Sequence, residues 1–273
     1  MKTVLVPVDF SAVSMNAAKY ATDMAIVIQA NVLLVNVVQL PVTLSEVPMP
    51  ADILGGMIAD AEANMVELRN DLVLHSNNIV RISTKVVTGY VLDIIDEIAG
   101  QLDLFAIVMG CNGSGNEGLA IFGSTAISAM HDLSYPVMLI PGGATFKRIS
   151  KVGLSCDMKD VNKVIPFDRI GYLVDLFKCS LDVLYVSGNN EDVHGEILPE
   201  TISLQNALMK VHPKFHFIIA KDVEAGVAEF VKKEGIELLM VIPKKHGFLG
   251  AIFHKSVSKE IALNMNMPIM ILH

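Results

Sequence analysis

The chain has 273 residues, 52% of them hydrophobic and 18% charged, and its net charge is −8. Such a composition excludes an intrinsically disordered protein, which would be poor in apolar residues and rich in charge. The acidic balance and the lack of a basic stripe argue against nucleic acid and against an anionic membrane surface as partners. The longest stretch without a charge, residues 24–45, contains asparagine, glutamine and proline, so we expect no membrane span.

The first 140 residues alternate between short apolar runs and helical segments. Their patterns predict strands at 4–8, 32–38, 81–87, 104–109 and 136–140, and helices at 14–28, 51–75, 91–99 and 124–132. Ser11 is the expected N-cap of the first helix, and a glycine-rich loop is expected from Gly110 to Gly123. Alternation of strands and helices is typical of βαβ units, so we predict an α/β fold with a parallel sheet.

After residues 141–145, a stretch typical of a linker, the same pattern starts again. Strands are predicted at 151–156, 181–186, 215–219, 238–242 and 268–272. Asp157 follows the first of these strands as Asp9 follows the first strand of the chain. We therefore predict a duplicated protein with domains at residues 1–141 and 149–273.

The ends of three strands in the first half are the candidate binding site. Parallel sheets bind ligands outside the carboxyl ends of their strands, at the point where the strand order reverses. Asp9 follows the first strand, Asn36 and Val37 end the second, and the loop that begins at Gly110 follows the fourth. We expect these residues to meet at the edge of the sheet that the carboxyl ends of its strands form.

The loop itself carries an anion-binding pattern. Its glycines would let the backbone approach a ligand closely, and Ser124 and Thr125 would lie at a helix N-terminus, which favours phosphate. No lysine follows Gly123, so the loop is not a P-loop, and it is not the G-x-G-x-x-G dinucleotide fingerprint either. A plain surface loop and, for Asp9, a helix-initiating acid are the alternatives.

The pattern G-x2-G-x9-G-[ST], together with Pro7-Val8-Asp9, resembles the universal stress protein family, and the duplication resembles its tandem members. The resemblance implies two flavodoxin-like (adenine nucleotide alpha hydrolase-like) domains. Each would have a five-stranded parallel sheet of order 3-2-1-4-5 with helices on both faces. It also implies an adenine nucleotide in the first domain, either ATP, with or without Mg²⁺, or AMP.

By position, the resemblance also implies which residues surround the nucleotide. Those residues are Pro7, Val8, Asp9, Val37, Met109, Gly110, Asn112, Gly113, Gly123, Ser124 and Thr125. The first four would hold the adenine end, the first glycines would lie near ribose and phosphate, and the segment 123–125 would cradle the phosphates. Asn112 stands where many members of the family have histidine.

The second half departs from the pattern. Pro243 stands in place of the first glycine, His254 in place of the last, and Lys255 in place of the serine. Their Cβ atoms would crowd the places where backbone should meet phosphate. We expect no nucleotide site in this half, although Asp157 is retained.

These features favour a stress-response protein that binds a nucleotide rather than an enzyme. No nucleophile–base pair is visible, no acidic cluster for Mg²⁺ accompanies Asp9, and the loop carries no lysine or arginine to neutralise a transition state. The alternatives are a slow adenine-nucleotide-cleaving enzyme and a nucleotide-free interaction protein.

The fifth strand of each half is a short apolar run that the implied strand order places at a sheet edge, and exposed apolar edges favour pairing. We expect the two fifth strands to pair within the chain as a pseudo-dimer, through Val137, Leu139, Ile269 and Ile271. A homodimer of tandem chains is a further possibility.

Three cysteines and no C-x-x-C motif argue against a disulfide framework and a zinc ribbon, and favour a reducing cytoplasm. No secretory signal is visible, because Lys2 is followed by only six apolar or small residues before Asp9. Cys111 lies close to a predicted helix N-terminus, which can lower a thiol pKa, but a plain small residue is the favoured interpretation. The eight histidines show no spacing typical of a metal site.

Overall fold

The computed structural model describes residues 1–39, 51–111, 124–156, 158, 160–187, 198–242 and 267–273. These residues form two compact units, one before and one after the boundary between Phe146 and Lys147. In the described ranges, no helix combines the length and the apolar character that a membrane crossing requires.

The first unit alternates strands and helices throughout. In chain order its elements are β1 (Thr3–Pro7), α1 (Ala12–Ile28), β2 (Asn31–Val38), α2 (Ala51–His75), β3 (Ile82–Thr88), α3 (Val91–Gly100), β4 (Leu104–Cys111), α4 (Ser124–Asp132) and β5 (Val137–Pro141). All neighbouring strands are parallel, in the order β3-β2-β1-β4-β5. The predicted α/β fold and the strand order 3-2-1-4-5 are confirmed.

Helices cover both faces of this sheet. α1 packs beside α2, and α3 packs beside α4. The crossovers to β2 and β3 run one way along the sheet and those to β4 and β5 run the other way. Because such crossovers are right-handed, the two pairs of helices lie on opposite faces. The core between them is apolar, and Val4, Leu5 and Val6 of β1 are fully buried.

The predicted start of the glycine-rich loop was wrong. β4 continues through Gly110 and Cys111, which pair with Ile140 and Pro141 of β5. These two residues therefore belong to the sheet, because β5 extends far enough to supply their ladder partners.

The stretch after β5 is anchored on the first unit. Ala144 N donates to Pro141 O at 3.0 Å, and Gly143 between them has a φ of 86°, which glycine adopts without strain. Asn16 Nδ2 donates to Pro141 O at 3.2 Å and to Ala144 O at 3.1 Å. Phe146 then packs edge-on against Tyr20, with ring centroids 5.2 Å apart.

The second unit repeats the same order. Its described elements are β6 (Lys151–Ser155), α5 (Val161–Val164), α6 (Phe167–Phe177), β7 (Ser180–Ser187), α7 (Leu198–Ala207), β8 (Lys214–Ile219), α8 (Val223–Glu234), β9 (Leu238–Val241) and β10 (Ile269–Ile271). Their strands are parallel and lie in the order β8-β7-β6-β9-β10. This is again the order 3-2-1-4-5.

The duplication extends to the backbone conformation of single residues. Gln29 ends α1 with a left-handed φ of 54°, and Lys178 ends α6 with a φ of 51°. Phe10 follows β1 with a φ of 63°, and Met158 follows β6 with a φ of 51°. Left-handed conformations are uncommon for residues other than glycine, so their recurrence at matching positions is a strong sign of a repeat.

Candidate functional site

The carboxyl end of β1 is tied to β2 through both backbone groups of one residue, Val8. Val8 N donates to Val35 O, and Val8 O accepts from Asn36 Nδ2, both at 2.8 Å. Asn36 is buried, so this bond is made away from water. Asn36 therefore helps to hold the backbone at Val8, between Pro7 and Asp9. Sequence reasoning placed Asn36 at the edge but not among the site residues, although a lone amide in an apolar strand was the available signal.

Asp9 organises the turn from β1 into α1. Its Oδ1 accepts from Ser11 N at 3.0 Å and from Ser11 Oγ, while Asp9 N donates to Ser14 Oγ at 3.3 Å. Ser11 Oγ in turn accepts from Ser14 N at 3.3 Å, so the predicted N-cap is confirmed. Asp9 thus takes part in the start of α1.

The electrostatics of Asp9 follow from these contacts. Partial burial raises the pKa of its carboxyl group, but the hydrogen bonds from Ser11 and Ser14 favour the charged form and lower the pKa below its usual value. Asp9 is exposed. The edge therefore presents a carboxylate that is ionised well below neutral pH.

Val37 and Met109 lie at the ends of the strands on either side of β1. Pro7 pairs with Val35 of β2, and Leu5 pairs with Ile107 of β4. Val37 and Met109 each lie two residues beyond these partners, at the same edge as Pro7. Val37 is half-buried and pairs with Val87 of β3, while Met109 is buried. The structure thus brings the predicted residues of three strands to one edge.

Gly110 has a packing role that the sequence did not reveal. A Cβ built on it would lie 2.3 Å from Val13 O and 3.0 Å from Ser14 N. These atoms belong to the first turn of α1, which crosses closely over the end of β4. A glycine is required here by the fold itself, in addition to any approach of a ligand.

The remaining predicted residues follow β4. Asn112, Gly113 and Gly123 lie outside the described residues, as do Asp157, Pro243, His254 and Lys255 of the second half. Ser124 is the first residue of α4, and Thr125, which follows it, is half-buried. The helix N-terminus predicted at this position is therefore present. Because α4 follows β4 and leads to the parallel strand β5, it begins at the edge formed by the carboxyl ends of the strands.

Cys111 is not an activated thiol. It is buried at the end of β4, and burial raises the pKa of its thiol to about 12. The favoured interpretation as a plain small residue agrees with this, because a thiol without thiolate character is not a nucleophile.

The fold and this edge define a doubly wound α/β protein with a candidate ligand site at the carboxyl ends of its strands. The sequence model of the universal stress protein family matches residues 1–141. That match covers half of the chain, and the chain belongs to the universal stress protein family. No curated protein matches the chain.

Solved structures share the fold over the whole chain. A universal stress protein from Archaeoglobus fulgidus DSM 4304 has 13% identity and a TM-score of 0.72, over 99% of this chain and 95% of its own. A functionally unknown protein from Pseudomonas aeruginosa PAO1 has 11% identity and a TM-score of 0.58, over 100% and 92%. A putative universal stress protein from P. aeruginosa UCBPP-PA14 has 12% identity and a TM-score of 0.57, over 100% and 93%.

Proposed function

We propose that the first half of the chain binds an adenine nucleotide, ATP or AMP, and that the protein acts in a stress response by binding rather than by turnover. The observation that carries this proposal is the convergence of Asp9, Val37 and Gly110 at one edge. The glycine pattern of the sequence leads from that edge to the N-terminus of α4. An edge of this kind is where doubly wound sheets take nucleotides.

The proposed pose follows the residues along the edge. Pro7, Val8, Asp9 and Val37 would surround the adenine end, and the backbone that Asn36 contacts would shape the wall beside the base. In this pose Gly110, Asn112 and Gly113 would be the residues nearest to the ribose and the first phosphate. The segment 123–125 offers backbone N–H groups to the terminal phosphates, with or without Mg²⁺.

Binding without turnover is favoured by what the edge contains. Among the described residues of the edge, Asp9 is the acidic group, and its carboxylate is already engaged by Ser11. The segment 110–125 supplies no lysine or arginine for a developing charge on phosphate. If ADP or AMP accumulates from ATP above the rate without protein, the alternative of a slow nucleotide-cleaving enzyme is correct.

Isothermal titration of the full chain with ATP tests the proposal. We expect about one site per chain, and we expect Gly123→Val to abolish binding, because a branched side chain would fill the space of the phosphates. The matched control is Gly55→Val, which adds the same side chain on an exposed part of α2 where nothing lies within 4 Å. A stoichiometry near two, or Gly123→Val binding like the wild type, would contradict the proposal.

Binding of the base and binding of the phosphates should depend on different residues. We expect Asp9→Ala to reduce the preference for ATP over GTP more than it reduces the affinity for inorganic triphosphate. Equal losses for all three ligands would show instead that Asp9 acts only through the start of α1.

We also propose that the second half completes a dimer-like scaffold and binds no nucleotide. Short apolar fifth strands favour pairing between the halves. Pairing of such strands between two chains would give a homodimer of tandem chains. The three cysteines and the lack of a C-x-x-C motif favour the cytoplasm as the compartment.

A further inference from the structure

A second group of potential ligands lies within the second unit, on the face of the sheet that α8 covers. Asp182 is the third residue of β7, His216 is the third residue of β8, and Glu234 is the last residue of α8. The three residues come from separate elements, and 34 positions separate Asp182 from His216. Only the fold brings them together, so their spacing along the chain does not indicate a metal site.

The packing of α8 explains the meeting. The helix runs back across β7 and β8, and successive residues of one helix face contact successive parts of the sheet. A Cβ on Gly226 would lie 3.0 Å from Val186, near the end of β7. One turn later, Phe230 packs edge-on against His216, with ring centroids 5.0 Å apart. One further turn brings Glu234 to Asp182.

The geometry is that of a compact cluster. His216 Nε2 lies 2.7 Å from Asp182 Oδ1. One ligand atom from each of the three residues, Glu234 included, lies within 4.8 Å of the other two. Tetrahedral ligand atoms about 2.0–2.2 Å from a zinc ion stand about 3.4 Å from one another, so His216 Nε2 and Asp182 Oδ1 would move slightly apart and Glu234 would move inward to share one ion.

Asp182 supplies a second, independent observation at this cluster. Its side chain is completely buried, at 0% exposure. Among the described residues its Oδ2 has no hydrogen-bond partner, although Oδ1 is paired with His216. A buried carboxylate oxygen without a partner is costly, and such carboxylates in proteins are paired or coordinate metals.

We propose that Asp182, His216 and Glu234 bind one divalent transition metal ion of the Zn²⁺ class. An imidazole nitrogen favours such an ion over Mg²⁺ or Ca²⁺, which prefer oxygen ligands alone. Two carboxylates balance the charge of the ion. The ion takes the place of the proton between His216 Nε2 and Asp182 Oδ1. A neutral imidazole keeps its single proton by carrying it on Nδ1, whereas an imidazolium releases one proton to solvent, and in both cases a neutral imidazole is the ligand.

The ion can reach the cluster from solvent. The side chains of His216 and Glu234 are 23% and 26% exposed, whereas Asp182 forms the closed end of the cluster. A water molecule completes four-fold coordination on the open side. Lys151 Nζ lies 3.7 Å from Glu234 Oε2, so its ammonium group both holds this carboxylate in place and competes with the ion for it.

The proposed metal site is independent of the proposed nucleotide site. Its strand residues lie near the amino ends of β7 and β8, whereas nucleotides bind at carboxyl ends. Its consequence is structural: one ion would join β7, β8 and α8 in the half that lacks the nucleotide pattern. An ion that binds only the folded state stabilises that state by mass action.

Titration of the full chain with ZnCl₂, followed by calorimetry and by thermal unfolding, tests this proposal. The wild type should bind Zn²⁺ and unfold at a higher temperature in its presence. Asp182→Asn and His216→Asn should each weaken binding more than about 100-fold, since even the loss of a residue that only orients a ligand costs 10–100-fold. His212→Asn is the matched control, because His212 is exposed just before β8 and should leave the affinity unchanged.

Lys151→Gln separates a metal site from a structural ion-pair cluster. It should strengthen Zn²⁺ binding several-fold, because it removes the positive charge that competes for Glu234. The proposal is overturned if the wild type does not bind Zn²⁺, or if binding survives both Asp182→Asn and His216→Asn. Should Asp182→Asn fail to fold, His216→Asn decides the question, since that side chain is partly exposed. ATP affinity should be unchanged in all these variants, so failure here leaves the nucleotide proposal standing.

Discussion

The carbonyl oxygen of Val13 occupies the place where a side chain at position 110 would stand, since a Cβ on Gly110 would lie only 2.3 Å from it. This contact joins the first turn of α1 to the end of β4, and both elements border the candidate nucleotide edge. The same glycine thus serves the packing of the edge and, in the proposed nucleotide site, the close approach of a ligand. The two roles are separable, because packing affects stability even without nucleotide.

Gly110→Ala should destabilise the protein by about 2 kcal/mol or more, as expected when extra volume is forced against backbone that cannot move away. Urea unfolding without nucleotide measures this loss. Gly171→Ala, at a helical glycine with nothing within 4 Å, is the control and should stabilise by up to about 1 kcal/mol. If Gly110→Ala is as stable as the wild type, the first turn of α1 can shift and the fold does not require a glycine at this position.

Local sequence patterns predicted the strands and helices of the first half and the strands of the second half within a few residues, since hydrophobic periodicity and the Ser11 cap are local signals. The order of the strands came instead from the family resemblance. What the sequence could not supply were contacts between distant positions. The Asn36–Val8 bond, the Gly110–Val13 contact and the Asp182–His216–Glu234 cluster each depend on how neighbouring strands and helices are placed, which periodicity does not encode.

Asn36→Ala should lower the free energy of unfolding by about 1–3 kcal/mol, because it leaves the buried Val8 carbonyl without its partner. It should also weaken ATP binding, since the backbone at Val8 would lose one of its two hydrogen bonds to β2. Equilibrium unfolding and calorimetry measure the two effects. Asn16→Ala is the control: it also removes an amide that donates to backbone, but at the turn after β5. It should lower stability while leaving the affinity for ATP unchanged.

The stability contributed by Asp9 should depend on pH in a defined direction. Its pKa is lower in the folded protein than the ordinary value of 3.8. Its ionised form therefore stabilises the fold above that value, and the contribution is lost as pH falls through the folded pKa. Asp9→Ala should be less stable than the wild type at neutral pH, and the difference should shrink at acid pH.

A double-mutant cycle with Ser11→Ala tests the cause of this dependence. Ser11→Ala removes the hydrogen bond from Ser11 Oγ to Asp9 Oδ1 and keeps the one from Ser11 N, so the effect of Asp9→Ala should be smaller, but not zero, in the Ser11→Ala background. An equal effect in both backgrounds would show that the Ser11 hydroxyl does not stabilise the Asp9 carboxylate.

Cys111 should resist alkylation in the folded protein. Because burial raises the pKa of its thiol to about 12, almost no thiolate is present near neutral pH, and the side chain is also shielded from the reagent. Peptide mapping by mass spectrometry after iodoacetamide treatment should find Cys111 unmodified in buffer and modified in urea. Rapid labelling of the native protein would contradict the buried setting of β4.

The last prediction concerns assembly, and a fragment of residues 1–146 tests it. The fragment should end at Phe146, because that ring packs on Tyr20. β5 is a short apolar strand and the last in the order of the first unit, and apolar strands of this kind favour pairing. Within the whole chain a short connection would hold the second fifth strand at high effective concentration, so we expect pairing inside the chain to prevail over pairing between chains. Light scattering should therefore show a fragment that self-associates as its concentration rises and a full chain that does so less. A soluble, stable monomer of the fragment with the ATP affinity of the full chain would contradict the scaffold role proposed for the second half.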